Sequence, residues 1–168
     1  MKISNYVLVF LLLMLSISGL LGGFSLITSP DGSKLAMPTT YLANTPFQDY
    51  LIPGIILFLL MGILPLITVY GIVSHKKSTV FDFLNIYKDK HWSYAYSLYV
   101  GIILIFWIDF QIAFMGYLIP IQIVCAILGV LIVIAALLPG NIEYARIDIH
   151  SRKNKIFVGW TRIDHLFE

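Results

Sequence analysis

Charged residues are scarce in this chain of 168 residues: Lys, Arg, Asp and Glu make up 12% of it, whereas 59% is hydrophobic. A soluble domain usually carries about 25% charged residues. A water-soluble fold of this length cannot bury so much apolar surface, so most of the chain must have the lipid bilayer as its solvent. The basic residues lie beside apolar runs and not on a folded basic surface, which argues against nucleic acid as a partner.

Cysteine is almost absent. The single thiol, Cys125, lies inside an apolar run, so intrachain disulfides, thiol redox pairs and cysteine-based zinc sites are excluded. A phosphate-binding glycine loop, an HExxH motif and a GxSxG motif are also missing. The four histidines lie outside the apolar runs, and no carboxylate completes a ligand spacing, so we predict no metal and no cofactor.

Four apolar runs are long enough to cross a bilayer, which takes about 20 residues. The last two form one stretch, Tyr94–Leu138, interrupted by Gly116 and Pro120, which predicts two helices joined by a tight turn. The first run continues for about 23 residues, longer than a secretory signal, and favours a retained helix. We predict an all-α integral membrane protein, a four-helix transmembrane bundle over residues 1–140, with spans at 6–28, 51–73, 94–115 and 117–138.

The connections are also informative. Residues 29–50 combine the turn sequence Ser29-Pro30-Asp31-Gly32 with apolar side chains, so we expect this loop to cap the outer mouth of the bundle. Pro65 predicts a kink in the second span. Residues 80–87 predict a short interfacial helix, and Trp92, Tyr94, Tyr96 and Tyr99 predict an aromatic belt at the membrane surface.

The tail, residues 141–168, changes in character. Its alternation of polar and apolar residues from Arg146 to Trp160 favours a β-hairpin. Ten Lys and Arg residues lie at the N-terminus, in residues 74–93 and in this tail, whereas only Lys34 lies in the loop 29–50. By the positive-inside rule we expect a multi-pass protein of the cell membrane with both termini in the cytoplasm.

Polar residues at bilayer depth mark a candidate binding site. Asp109, the only charge within Tyr94–Leu138, lies about 6 Å to the outer side of mid-span at roughly 1.5 Å per residue, with Gln111 and Gln122 at similar depth. Trp107 lies beside them. We expect Asp109 to face Gln122 and either to form a structural hydrogen bond while protonated or to handle protons or cations.

Small residues four apart in the first span predict close helix packing. They form two interleaved pairs, Ser18 with Gly22 and Gly19 with Gly23. The sequence leaves open whether they pack within the chain or form a seam with another copy or a partner.

The pattern Ser29-Pro30-Asp31-Gly32, Thr45-Pro46-Phe47 and Pro53-Gly54, followed by Trp107 and Gln111, resembles small prokaryotic four-helix membrane proteins of uncharacterised function. The resemblance covers most of residues 20–140 and implies the fold without an activity. The chain does not resemble the four-helix quinone reductases, because their redox cysteines are absent.

With Asp109 as the only acidic group in a span, an enzyme is not expected. We therefore expect a non-enzymatic accessory protein that binds lipid, a membrane-protein partner or its own copy through the small-residue face. The alternative is a small oligomeric transporter or channel that uses Asp109.

Overall fold

The computed structural model describes residues 2–76, 78–116 and 120–146, and nearly all of its regular structure is helical. Two short 3-10 turns, Ser33–Leu35 and Thr39–Leu42, lie in the loop after the first helix. The helices are, in chain order, α1 (Ile3–Thr28), α2 (Leu51–Ser74), α3 (Thr79–Asp82), α4 (Trp92–Met115), α5 (Ile121–Leu137) and α6 (Pro139–Ala145).

Three of the helices, α1, α2 and α4, are long and apolar enough to cross a membrane. The fourth predicted span, 117–138, is represented by α5, which meets the same test only together with α6, bent from it by 62°. Residues 117–119 of that span lie outside the described ranges. The all-helical prediction is thus confirmed for the described residues, with three such helices, or four if the bent pair forms one span.

The long helices pack as a ring. α1 packs along α2, α4 along α5, α1 against α5, and α2 against α4 mainly through the half of α2 that ends at Ser74. The centre is filled by Leu12, Met61, Leu104 and Ile132, each at most 2% exposed. The ring has a basic end, with Lys2, Lys76 and Lys90, and a cap end, with the loop 29–50.

The helical turns that precede Pro65 in α2 are wider than those of a regular α-helix. The preceding segment Leu57–Ile63 is π-helical, which relieves the clash that a proline ring makes with the carbonyl four residues earlier. Ser16 of α1 donates a hydrogen bond from Oγ to the Gly62 carbonyl oxygen at 2.7 Å. The irregular part of α2 is therefore supported by its neighbour, as membrane helices containing proline require.

The predicted aromatic belt is wrong for three of its four residues. Trp92, Tyr94 and Tyr96 are 2–7% exposed because the chain between α2 and α4 folds back against the first turns of α4. Tyr99 alone stays partly exposed. The predicted interfacial helix at 80–87 is shorter than expected, since α3 ends at Asp82.

The predicted boundary at residue 140 falls inside α6, because Pro139 occupies a first-turn position of that helix. Leu138, the residue before the proline, is extended, which breaks α5 from α6. Asn141 stabilises the bend: its Nδ2 donates to the Ala135 carbonyl oxygen at 2.7 Å and to the Ser4 carbonyl oxygen at 3.2 Å. The predicted hairpin lies outside the described residues except for Arg146, which forms an isolated antiparallel bridge with Lys90.

Candidate functional site

Asp109 lies on the outer surface of the bundle, and no hydrogen-bond or ion-pair partner for it exists among the described residues. It belongs to a stripe of α4 formed by Ile102, Phe106, Asp109 and Ala113, which share one side of the helix and are all exposed. Ile102 and Phe106 are 42% and 68% exposed. The structure thus presents one carboxyl group within an otherwise apolar surface that we call the Asp109 stripe.

The expected pairing of Asp109 with Gln122 does not form. Gln122 is 3% exposed and faces the interior of the bundle, where its Nε2 donates to the Gly116 carbonyl oxygen at 3.5 Å. Asp109 is exposed whereas Gln122 is buried, so the two side chains face in different directions. The amide therefore bonds to the residue that ends α4 and does not pair with the carboxyl group.

The other two predicted site residues are both partly buried. Gln111 has no hydrogen bond to another described residue. Trp107 packs against the central core and stacks with Phe110, with ring centroids 6.3 Å apart. The structure does not gather Asp109, Gln111, Gln122 and Trp107 into one pocket.

The cap end is closed by the loop 29–50, as predicted. Tyr50 and Leu42 are buried with Leu26 of α1, and Phe47 lies 6.4 Å from Phe110 of α4 between ring centroids. The Tyr50 hydroxyl donates to the Pro38 carbonyl oxygen at 3.0 Å. Burial, and then Tyr41, raise the pKa of Tyr50, which keeps the hydroxyl protonated as this donor.

The glycines of α1 pack against α2 of the same chain. Gly19 and Gly23 are buried against the π-helical part of α2, so close that a Cβ at Gly19 would lie 2.7 Å from the Gly62 nitrogen. Gly22 is only half-buried, and a Cβ there would lie an ordinary 3.4 Å from Leu57 Cδ2. Ser18 is exposed and bonds to its own helix. The four residues expected to form a seam with a partner therefore fall on two sides. Gly19 and Gly23, which allow close helix packing, are covered by α2, whereas Ser18 and Gly22 are not fully buried.

A second polar cluster, at the basic end, was not predicted as a unit. His91 is 4% exposed; its Nε2 lies 2.9 Å from the Lys76 carbonyl oxygen, and its Nδ1 lies 2.9 Å from Ser93 Oγ. Because a carbonyl only accepts, Nε2 carries the proton and Nδ1 accepts, as it does from the Ser93 backbone N–H that it caps. His91 is thus a structural residue of the α4 N-terminus, and the sequence signal for it is a histidine directly before an apolar helix.

His75 completes this cluster. Its ring centroid lies 5.2 Å from that of His91 and 4.3 Å from that of Tyr144 on α6. Burial, and then His91, lower the pKa of His75 below its usual value. The described residues contain no group of three or more His, Cys, Asp or Glu side chains arranged to hold a metal ion.

Two buried hydroxyl groups of the described residues bond to the backbone of their own helices and not to each other. Thr68 and Ser97 are buried, yet each donates to a carbonyl of its own helix, Leu64 at 2.8 Å and Ser93 at 2.7 Å. The described core of the ring is otherwise mainly apolar, and its other buried polar side chains include Ser16 and Gln122, which donate to the Gly62 and Gly116 carbonyl oxygens.

Comparisons of the chain with protein-family models, curated proteins and solved structures found no significant match.

Proposed function

We propose that this chain is a non-enzymatic subunit of the cell membrane that binds a partner membrane protein through the Asp109 stripe of α4. The observation that carries the proposal is an exposed carboxyl group, without a described partner, on a helix long enough to span the bilayer. An ionised carboxylate at bilayer depth costs about 2.5–3.5 kcal/mol on insertion scales and is normally paired or protonated. A surface that keeps such a group exposed is suited to a partner that pairs with it.

The chemistry of the partner follows from what α1, α2, α4 and α5 lack. None of these helices contains Lys, Arg or His, so a second copy offers no intramembrane cation to Asp109. An ion pair at this depth therefore requires a different protein. We propose a transmembrane helix that carries Lys or Arg at the level of Asp109, flanked by small or apolar residues that fit Ile102 and Phe106.

The transporter alternative receives less support from the geometry. A pathway through a single copy would place Asp109 inside the ring and polar groups at successive depths, whereas Asp109 is outside and the interior is packed. The positive-inside distribution of Lys and Arg supports an orientation with both termini and the basic end in the cytoplasm.

Site-specific photocrosslinking in membranes of the native host tests this proposal. A photoreactive phenylalanine analogue replaces Phe106 in the stripe, and a matched control replaces Ile127 on α5, which is 54% exposed. We expect one discrete protein adduct from position 106, reduced at least fivefold by Asp109→Asn and lost with Asp109→Leu. We expect only lipid adducts from position 127.

Charge exchange then establishes the pairing. In the identified partner, the intramembrane Lys or Arg is changed to Asp, and Asp109→Lys should restore the adduct. The proposal would be overturned if positions 106 and 127 gave the same protein adducts and Asp109→Asn did not reduce them. A crosslinked product with twice the mass of the 19.0 kDa chain would show that the stripe contacts a second copy of this chain and not a different protein. If the purified chain conducted ions in liposomes and Asp109→Asn abolished that flux, the transporter alternative would be supported in place of partner binding.

A further inference from the structure

The segment 78–87 at the basic end is held firmly against α4. The Phe81 ring packs against that of Trp92 at a tilt of 31°, with ring centroids 4.8 Å apart, and the Tyr99 hydroxyl donates to the Leu84 carbonyl oxygen at 2.8 Å. Asn85, 2% exposed, donates to the Lys90 carbonyl oxygen at 3.0 Å and to Asp82 Oδ1 at 2.9 Å. The segment is therefore anchored to α4 through Phe81 and Leu84, whereas Asn85 holds the loop itself together.

These anchors place the segment beside α4 and not beneath it. Trp92 and Tyr99 are seven residues apart, about 10 Å along the helix, and the segment contacts both. The part of the chain that is apolar enough to cross a membrane begins within these turns of α4, so we place the segment at the depth of the lipid headgroups and the first methylene groups.

Four apolar side chains of the segment are exposed, together with Thr79 and Asp82. Val80, Phe83, Leu84 and Ile86 are 78%, 85%, 56% and 67% exposed. Such exposure is unfavourable in water, whereas an anchored apolar surface at this depth is stabilised by acyl chains.

Lysines border this surface. Lys76 and Lys88 are exposed, whereas Lys90 lies over the rings of Tyr87 and Tyr94, 4.8 and 5.2 Å from their centroids. Basic residues beside an interfacial apolar surface attract anionic headgroups, with about 1 kcal/mol for each Lys or Arg near the surface.

We infer that residues 78–87 form a lipid-binding wedge, in which Val80, Phe83, Leu84 and Ile86 insert among acyl chains while Lys76 and Lys88 bind the phosphates of anionic phospholipids. This inference does not depend on Asp109 or on a protein partner. The wedge would bind lipid at the basic end in addition to the lipid contacts of the long helices.

Lipid quenching in vesicles tests the insertion of the wedge. In the full chain with Cys125→Ala, a single cysteine at Phe83 or, as the matched control, at the exposed Asp89 of the same loop carries an environment-sensitive fluorophore. We expect a blue-shifted emission at position 83 and several-fold stronger quenching by lipids brominated on their acyl chains than at position 89. Emission at position 83 typical of water, without quenching, would overturn the inference; Val80→Cys provides a second probe position.

The lipid class is tested with the same labelled protein. At equal total bromine, brominated phosphatidylglycerol should quench the fluorophore at position 83 at least twofold more than brominated phosphatidylcholine, because the anionic lipid is enriched locally. Lys76→Gln combined with Lys88→Gln should remove that difference while leaving the quenching by phosphatidylcholine unchanged. Equal quenching by the two lipids in the lysine-containing protein would refute the recognition of anionic headgroups.

Discussion

Alanine at Gly19 should loosen the seam between α1 and α2, whereas alanine at Gly22 should not. The Cβ introduced at Gly19 overlaps the Met61 carbonyl group and lies 2.7 Å from the Gly62 nitrogen. Both obstacles are backbone atoms of a packed helix, which cannot rotate away as a side chain can. The two helices must therefore separate by more than roughly half an ångström, since packed cores respond to such overlap by shifting backbone.

The magnitude follows from two opposing effects. Overpacking of this kind costs about 1–3 kcal/mol, and replacing glycine by alanine within a helix returns about 0.5–1 kcal/mol. The difference of these ranges is about 0–2.5 kcal/mol, so we expect Gly19→Ala to lower the free energy of unfolding by up to about 2.5 kcal/mol and to weaken the bond between Ser16 and Gly62. Gly22→Ala gains the same helix propensity and meets only Leu57 Cδ2 at 3.4 Å, so it should be neutral or slightly stabilising.

Unfolding by SDS in mixed micelles, followed by helical circular dichroism, measures both variants against wild type, and light scattering reports the oligomeric state. If Gly22→Ala destabilised the chain as much as Gly19→Ala, the assignment of the seam to the Gly19 face would be refuted. A loss of self-association with unchanged monomer stability would likewise show that these glycines contact another copy and not α2.

Three further predictions use the same unfolding assay. Asp109→Leu should leave the free energy of unfolding of the isolated chain within about 0.5 kcal/mol of wild type, because the side chain is exposed. Asn141→Leu should lower it by about 1–2 kcal/mol, because the Ala135 carbonyl oxygen loses its 2.7 Å bond at the bend, and hydrogen exchange in α6 should accelerate. Stability should fall as the pH decreases from the usual histidine pKa of 6.5 through the lower folded pKa of His75, because the unfolded chain binds the proton first. His75→Asn, which tolerates the φ of 49° at this position, should flatten that decrease.

Each of these predictions has a clear contrary result. A loss above about 1 kcal/mol for Asp109→Leu would mean that Asp109 is paired within the chain. Unchanged stability and exchange for Asn141→Leu would show that the bend does not need the amide. The same pH profile with and without His75 would assign the acid sensitivity to other groups.

The long helices were predictable because each of them is a long, nearly continuous apolar run. Predicted bounds of 51–73 and 94–115 compare with helices at Leu51–Ser74 and Trp92–Met115, since an apolar run of about 20 residues in lipid has to satisfy its backbone hydrogen bonds internally. The cap that the loop 29–50 forms over the end of the bundle was also predictable, because apolar side chains between turn residues need a surface to pack against. The fourth span was predicted in part: Pro139 marks the end of α5 in the sequence, but hydropathy does not indicate that a second helix, α6, follows at an angle of 62°.

By itself, then, the sequence determined a helical fold, helices long and apolar enough to cross a membrane, roughly where those helices begin and end, and which polar residues they carry. Only the tertiary structure decided which way those residues face. A helix that is apolar on all sides carries no hydropathic signal for its rotation about its own axis. That rotation is set by shape: Gly19 and Gly23, and not Ser18 and Gly22, fit the widened turn of α2, and the contact of Gly101 with Gly129 between α4 and α5 accompanies an orientation of α4 that leaves Asp109 outside the bundle.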